Sequence, residues 1–191
     1  MAFVGALRTC GAPVPLTWVL GFLKQPLGLL ARATFMNPLV SSALTGIAQN
    51  SEAAFHAAAE IVQAYIAPDS EIDEPYGAAF KEAPPTHADI NAIKHALLSY
   101  LDREPRPEYA AVTYFVLGKI ADPSLAPVLQ SHLAMRLSAV LESSAALGNL
   151  ICALDNIREP ILNGQGLSAA NVDTNIKNAR LYLLKRGISV P

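Results

Sequence analysis

Apolar side chains recur along most of this chain at the spacing of one helix face. The clearest stripe runs through Ile90, Ile93, Leu97, Leu98 and Leu101. These residues lie at positions i, i+3, i+7, i+8 and i+11, so they line one side of a helix. Thr86 precedes the stripe as an N-cap residue and Asp89 stands at the third helical position, which marks where this helix begins.

Five further stripes predict helices over most of the remaining chain. Their apolar residues are Phe55, Ala58, Ala59, Val62 and Ile66; Val112, Phe115, Val116 and Ile120; Leu125, Val128, Leu129 and Leu133; Leu137 through Leu154; and Val172, Ile176, Ala179 and Leu183. Prolines and one glycine give the ends. Pro68 ends the first of these helices, Pro107 and Pro123 open the second and third, and Gly187 follows the last as its C′ residue.

No stretch alternates apolar and polar residues with β-branched enrichment between turns, so the predicted class is all-α. We expect an antiparallel helical bundle formed by a single domain over residues 1–191. Two segments stand apart. Residues 1–50 are apolar and broken by prolines, and residues 68–85 combine four prolines with five acidic residues, which predicts a long exposed loop.

A short internal repeat qualifies this picture. Leu117-Gly118-Lys119-Ile120 and Leu147-Gly148-Asn149-Leu150 are 30 residues apart, and each lies in the second half of an apolar helix. Over residues 109–133 the chain resembles a HEAT-type repeat, and a fainter echo continues over 136–163. The resemblance implies a short stack of helix pairs as the alternative to an irregular bundle, with Gly118 allowing two helices to approach closely.

Composition favours a protein that covers part of its surface with a partner. Only 16% of residues are charged and the net charge is −2, which gives no general attraction to nucleic acid or anionic lipid. The charge is unevenly distributed, with −7 over residues 51–108 and +3 over residues 171–191. No uncharged run is long and apolar enough to span a bilayer, and the N-terminus lacks the form of a signal sequence. We therefore expect a soluble cytoplasmic protein.

Few residues indicate site chemistry. Glu52, His56 and Glu60 lie at successive i+4 steps on one helix face, the arrangement that a carboxylate metal site uses. A solvated polar face explains the same pattern, and the chain lacks a matching second helix. Because no nucleophile or phosphate-binding motif accompanies these residues, we expect neither cofactor nor metal and favour a non-enzymatic protein.

Partner-binding candidates come from the two unusual segments. Residues 1–50 supply three aromatic side chains, and residues 68–85 supply three carboxylates and a tyrosine. The candidates are Trp18, Phe22, Phe35, Glu71, Asp73, Glu74 and Tyr76. On the last helix, Lys177, Arg180, Lys185 and Arg186 form the best cluster for a nucleic-acid backbone. Interaction with the helix dipole is the simpler explanation of these cations, since they lie near a helix C-terminus.

Three functions follow from these observations. The first is a protein–protein interaction module built from stacked helices. The second is a self-assembling structural subunit of a homo-oligomer or filament, in which the basic ends contact the acidic middle of a neighbouring copy. The third, from another class, is a helical enzyme or carrier with an apolar pocket for a small molecule.

Overall fold

The computed structural model describes residues 37–190 with gaps at 70–71, 73–75, 104–105, 139–143, 160 and 163–171. The described chain is all-helical, and no strand occurs in it. The helices are α1 (Pro38–Ala48), α2 (Glu52–Ile66), α3 (Tyr76–Glu82), α4 (His87–Leu101), α5 (Pro107–Ile120), α6 (Ala126–Ser138), α7 (Ser144–Asn156) and α8 (Val172–Lys185), with a 3-10 turn at Pro123–Leu125. The predicted class is confirmed.

Local chemistry fixes most helix ends at the residues that the pattern indicates. The Thr86 hydroxyl accepts from the backbone amide of Asp89 at 3.3 Å, and the Thr86 amide donates to the Asp89 carboxylate at 2.9 Å. This reciprocal capping box satisfies two amides that the first turn of α4 leaves without helical partners. Pro107 is the first residue of α5, and α5 ends where Ala121 adopts a left-handed conformation with φ of 53°. Both boundaries lie close to the predicted ones.

The prediction of an exposed loop throughout residues 68–85 is wrong over residues 76–82, which form α3. Tyr76 and Phe80 are four residues apart, so their rings lie on one side of the short helix and stack with centroids 6.0 Å apart. Phe80 is buried in the core cluster, and α3 packs against α2. Packing against a neighbour stabilises a helix that is too short to form alone.

The boundaries of α1 and α6 also bear on the prediction. Pro38, one of the prolines expected to break residues 1–50, is the first residue of α1, and Asn37 caps the helix by accepting from the amide of Leu39 at 2.9 Å. Leu137 belongs to α6, which ends at Ser138, whereas a longer helix from Leu137 through Leu154 was expected. The apolar periodicity continues past the end of α6, so periodicity alone places no boundary there.

The core lies among α1, α2, α4, α5 and α7, and buried residues of α6 and α8 extend it. Helix α2 packs against α1 and α5, α5 packs most extensively against α7, and α6 lies against α7 and α8. Phe55 of α2 is fully buried and contacts the rings of Tyr100 and Tyr109, with centroid distances of 4.7 and 5.0 Å. Most predicted stripe residues are wholly or partly buried, but four of them are exposed: Ile66, Phe115, Val128 and Val172.

Helices α5 and α7 approach each other closely at a glycine. A Cβ atom on Gly118 would lie 2.8 Å from Cα of Ala153, which leaves no room for any side chain there. Two amide side chains of α7 donate to carbonyl groups of α5: Asn149 to Ala111 at 2.8 Å and Asn156 to Gly118 at 3.4 Å. The expected role of Gly118 is confirmed, and its close neighbour is α7 rather than α6.

A buried polar cluster joins α5 to α6. The Tyr114 hydroxyl lies 3.0 Å from Nδ1 of His132 and accepts from Nε of Arg136 at 2.9 Å. Because a guanidinium only donates, the hydroxyl proton of Tyr114 is free to bind a neutral His132. Burial lowers the pKa of His132, and the nearby Arg136 lowers it further, while Asp102 raises it. The neutral imidazole therefore fits this cluster.

Candidate partner-binding face on the last helix

Helix α8 is fixed at both of its ends by ordinary helix chemistry. Asp173 lies in the first turn and Lys185 in the last, where each charge interacts favourably with the helix dipole. Gly187 follows with φ of 70°, its amide donates to the carbonyl of Leu184, and the amide of Ile188 donates to that of Leu183. These two bonds form a Schellman motif, so the predicted C′ glycine is confirmed.

The inner side of α8 is held to the rest of the molecule by polar groups as well as apolar packing. Gln130 of α6 donates to the Tyr182 hydroxyl at 2.7 Å, and that hydroxyl donates to Glu159 at 2.9 Å. Arg186 forms an ion pair with the same carboxylate, and its guanidinium lies 3.8 Å from the centre of the Tyr182 ring. Burial raises the pKa of Tyr182 to about 12, so the hydroxyl keeps its proton.

The opposite side of α8 presents leucines to solvent. Leu184 is 71% exposed and Leu181 is 45% exposed, although Ala179 and Leu183 of the same helix are fully buried. Three exposed cations lie within three or four residues of these leucines along the helix, and therefore on neighbouring surface. We define the α8 outer face as Lys177, Arg180, Leu181, Leu184 and Lys185. It combines apolar contact area with positive charge.

The structure divides the four predicted nucleic-acid cations into two pairs. Arg186 is occupied by Glu159, and Arg180 donates to the carbonyl of Leu137 at 3.3 Å. Lys177 and Lys185 are exposed and form neither hydrogen bonds nor ion pairs with the described residues. The four cations therefore do not form a continuous row that is available to a phosphate backbone, and nucleic-acid binding stays a prediction.

The metal candidates lie on one exposed helix face without forming a ligand set. Nε2 of His56 lies 3.9 Å from a carboxylate oxygen of Glu52, at the outer limit of an ion pair. Glu60 lies near Tyr76 and, after burial, is a cause of the raised pKa of that tyrosine. Within the described ranges, no three histidine, cysteine, aspartate or glutamate side chains are grouped closely enough to hold a metal ion.

The other partner-binding candidates fall largely beyond what the structure describes. Tyr76 is the described one, and it is half-buried against Phe80 rather than exposed. The remainder, which lie outside the described residues, are Trp18, Phe22, Phe35, Glu71, Asp73 and Glu74. The sequence predicts the cations of α8 as a site, but Leu181 and Leu184 were not predicted to belong to one. The sequence does carry a signal for them, because both leucines lie outside the apolar stripe of that helix.

Comparison of the chain with protein-family models, curated proteins and solved structures gave no match. The resemblance of residues 109–163 to HEAT repeats therefore stays a prediction. In the described part of the chain, no helix has both the length and the hydrophobicity needed to cross a membrane.

Proposed function

We propose that this protein is a helical interaction module that assembles with copies of itself, by docking an acidic segment of one copy on the α8 outer face of the next. The observation that carries the proposal is the exposure of Leu181 and Leu184 among cations on one helix face. Single exposed leucines are common on protein surfaces, whereas adjoining leucines with a charged rim are typical of a docking site.

The apolar part of the face supplies the affinity. Leu184 and Leu181 lie one turn apart, so a single partner segment covers both. Burying a leucine contributes roughly 1.5 to 3 kcal/mol, less the fraction that α8 already covers. That gain supports association of moderate strength, because ordering two molecules offsets much of it.

The charged part of the face selects the partner. Residues 171–191 carry +3 and residues 51–108 carry −7, so each copy contains both complementary surfaces. Asp69 and Glu82 are exposed residues of the acidic 68–85 segment. Opposite potentials of this kind favour encounter and fix register. They also make the association weaken as salt concentration rises.

The contact joins two different surfaces of the chain. Two copies that dock reciprocally form a closed two-fold dimer. Copies that dock head to tail leave one acidic segment and one α8 outer face unused at the ends, so they close into a ring or continue as a filament. A helical stack is suited to this role because its two ends can present separate surfaces.

Sedimentation velocity over a range of protein concentrations tests the proposal. We expect the mean mass to rise with concentration at low salt and to fall in high salt. Leu181→Glu with Leu184→Glu is expected to give a monomer without loss of folding, because both side chains are exposed. Phe115→Glu is the control: it removes an apolar side chain of α5 that is 46% exposed, close to the 45% of Leu181, and should leave assembly unchanged.

A mixture of two charge-removal variants tests the pairing of surfaces. One variant carries Lys177→Gln and Lys185→Gln, and the other carries Asp69→Asn and Glu82→Gln. Each alone is expected to be monomeric, since the first lacks the basic face and the second lacks the acidic one. Mixed together they retain one compatible contact, so we expect a one-to-one dimer that grows no further.

The proposal fails if the wild-type protein is monomeric at every attainable concentration, or if the double leucine variant assembles like the wild type. Protein that is monomeric alone but shifts in the presence of duplex DNA, with the shift lost in Lys177→Glu, would replace self-assembly by nucleic-acid binding.

A further inference from the structure

One of the four histidines is buried, and its surroundings suit only one of its two charge states. His132 of α6 is 8% exposed, whereas the other three histidines are exposed or half-buried. Tyr114 of α5, which contacts it, is fully buried, and Arg136, one helical turn further along α6, is 9% exposed. Solvent is therefore largely excluded from these three side chains, so a new charge that appears among them is poorly solvated.

The hydrogen bonds of this cluster require a neutral imidazole. The Tyr114 hydroxyl accepts from Nε of Arg136 at 2.9 Å and lies 3.0 Å from Nδ1 of His132. Because a guanidinium only donates, the hydroxyl directs its own proton to Nδ1, and the neutral ring carries its proton on Nε2. Protonation of Nδ1 turns this acceptor into a donor. The hydroxyl proton of Tyr114 then loses His132 as its acceptor, and two cationic donors face the same oxygen.

The charges near His132 also oppose its protonation. Arg136 lies four residues away on the same side of α6, with its guanidinium carbon 5.2 Å from the centre of the Tyr114 ring. Burial is the largest cause that lowers the pKa of His132, Arg136 is the next, and Asp102 at the end of α4 raises it by less. Tyr114 supplies no opposing negative charge, because burial raises its pKa and keeps it neutral.

The charged groups that α7 and α8 bring toward α6 are engaged away from the cluster. Asp155 of α7 accepts from the amides of Ile161 and Leu162, both at 3.1 Å. Arg180 of α8 donates to the carbonyl of Leu137 at 3.3 Å. Among the described residues, Asp102 is therefore the carboxylate that acts on His132.

Helix α6 links this cluster to the last helix of the chain. Gln130, two residues before His132, donates to the Tyr182 hydroxyl of α8 at 2.7 Å, and the two helices pack against each other. A movement of α6 that brings water to His132 therefore also disturbs the support of α8.

We propose that the contact between α5 and α6 is an acid-sensitive switch, in which protonation of His132 breaks its bond with Tyr114 and releases α6 and α8 while the rest of the helical core stays folded. The switch acts within one copy of the chain. It goes beyond the proposed self-assembly and stands or fails independently of it.

The direction of the pH dependence follows from linkage. In the open form His132 is hydrated and has the ordinary histidine pKa of about 6.5, whereas in the closed form its pKa is lower. The open form therefore binds more protons as the pH falls below about 6.5. Its population relative to the closed form should rise up to about tenfold per pH unit, until the pH reaches the pKa of the closed form.

Nitrogen NMR of the imidazole ring tests the cluster in the full chain. At neutral pH we expect His132 as the Nε2–H tautomer, since Nδ1 accepts from Tyr114, and we expect its titration midpoint below about 6.5. In Tyr114→Phe the midpoint should move upward, because the neutral ring has lost the group that donates to it.

Amide hydrogen exchange at several pH values tests the opening. After correction for intrinsic exchange rates, opening of α6 and α8 should increase up to about tenfold per pH unit below about 6.5, and amides of α2 should change much less. His132→Asn keeps an acceptor oxygen near the position of Nδ1 but does not take up a proton. Its α6 opening, whatever the absolute size, should be independent of pH in this range. His95→Asn, which changes an exposed histidine of α4, is the control and should retain the wild-type dependence.

The proposal is overturned if neutral His132 carries its proton on Nδ1, or if it titrates at or above the ordinary histidine pKa. It is also overturned if His132→Asn and the wild type open with the same pH dependence. Equal pH dependence for α2 and α6 would mean that acid unfolds the whole core, which also contradicts a switch.

Discussion

Helix α5 is packed on two sides by different chemistry. Toward α7, Gly118 lies directly against the backbone and the methyl group of Ala153, and asparagine amides bridge the two helices. Toward α6, the contact is made by long polar side chains, with Tyr114 between His132 and Arg136. The α5–α7 interface requires that position 118 carry no side chain. The α5–α6 interface requires the polar atoms of Tyr114, His132 and Arg136.

The difference predicts how each interface fails. Atoms added at the α5–α7 contact have nowhere to go, because protein interiors are close-packed. Atoms removed from the α5–α6 contact leave buried donors and acceptors without partners, which costs more than the hydrogen bond contributed. The contact between α6 and α8 also contains a polar pair, Gln130 and Tyr182, whose loss would leave a donor without its partner. The α5–α6 contact is therefore specified by polar geometry, although Leu129 and Leu133 of α6 are also buried in the core, whereas the α5–α7 contact depends mainly on shape.

The largest expected effect is at the apolar centre of α5. Leu117→Ala should lower the free energy of unfolding by roughly 2 to 5 kcal/mol, because the fully buried leucine loses both transfer energy and packing. Denaturant unfolding measures it. Phe115→Ala, two residues away on the exposed side, is expected to cost well under half as much. A Leu117→Ala loss below about 0.5 kcal/mol would show that α5 is not packed as described.

The next effect concerns glycines at two close approaches. Gly118→Ala should cost roughly 1 to 3 kcal/mol despite the better helix propensity of alanine, since the new Cβ meets the backbone of Ala153. At Gly46 the new Cβ would instead meet the side chain of Ala54, at 2.5 Å. We therefore expect Ala54→Gly to rescue Gly46→Ala, whereas Ala153→Gly should not rescue Gly118→Ala.

Double-mutant cycles in denaturant give the two coupling energies. Rescue at both sites, or at neither, would contradict the distinction between a side-chain contact and a backbone contact.

The fold could be predicted from the sequence where its signals are local. The Thr86 and Asp89 capping box, Pro107 at the start of α5 and Gly187 after α8 are each decided by a few neighbouring residues. Helix α3 could not be predicted in this way. Its seven residues owe their conformation to packing of Phe80 against distant parts of the chain, which no local pattern records.

The candidate sites were harder to predict, because exposure depends on which helices meet. The cations of α8 are visible in the sequence, but the pairing of Arg186 with Glu159 joins residues 27 positions apart. Leu181 and Leu184 resemble core residues until α8 is placed against α6.

Removing one hydroxyl tests the polar side of α5. Tyr114→Phe should lower the free energy of unfolding by roughly 1 to 2 kcal/mol, because His132 and Arg136 then lose their shared partner in a buried site. The ring and its packing are retained. Tyr109→Phe on the same helix is the control, and denaturant unfolding is the measurement. Equal losses in the two variants would mean that the buried cluster contributes nothing specific.

The smallest expected effect lies in the turn that joins α5 to α6. Asp122 accepts from Lys94 of α4 at 2.6 Å and from the amide of Ser124 at 2.9 Å. The bond from Lys94 is the largest cause that lowers the pKa of Asp122, from 3.8 to about 2. The pair fixes the turn from which α6 starts, so it adds a charged contact to the polar side of the comparison.

The sign of its pH dependence follows from linkage. The folded carboxylate has the lower pKa, so between pH 2 and 4 the unfolded chain binds more protons. The stabilisation is fully present above pH 4 and is lost as pH falls through 2. Lys94→Met should therefore cost roughly 1 kcal/mol at pH 5, because the carboxylate is 28% exposed and partly screened by solvent. The difference from the wild type should shrink as the pH falls toward 2. Lys119→Met is the control, because the ammonium group of Lys119 lies over the ring of Phe115. This variant should show no such change between pH 5 and pH 2. Denaturant unfolding at several pH values measures the stability difference between variant and wild type, and carboxyl carbon NMR measures the pKa of Asp122. If the stability difference were the same at pH 5 and pH 2, this ion pair would not contribute to holding α6.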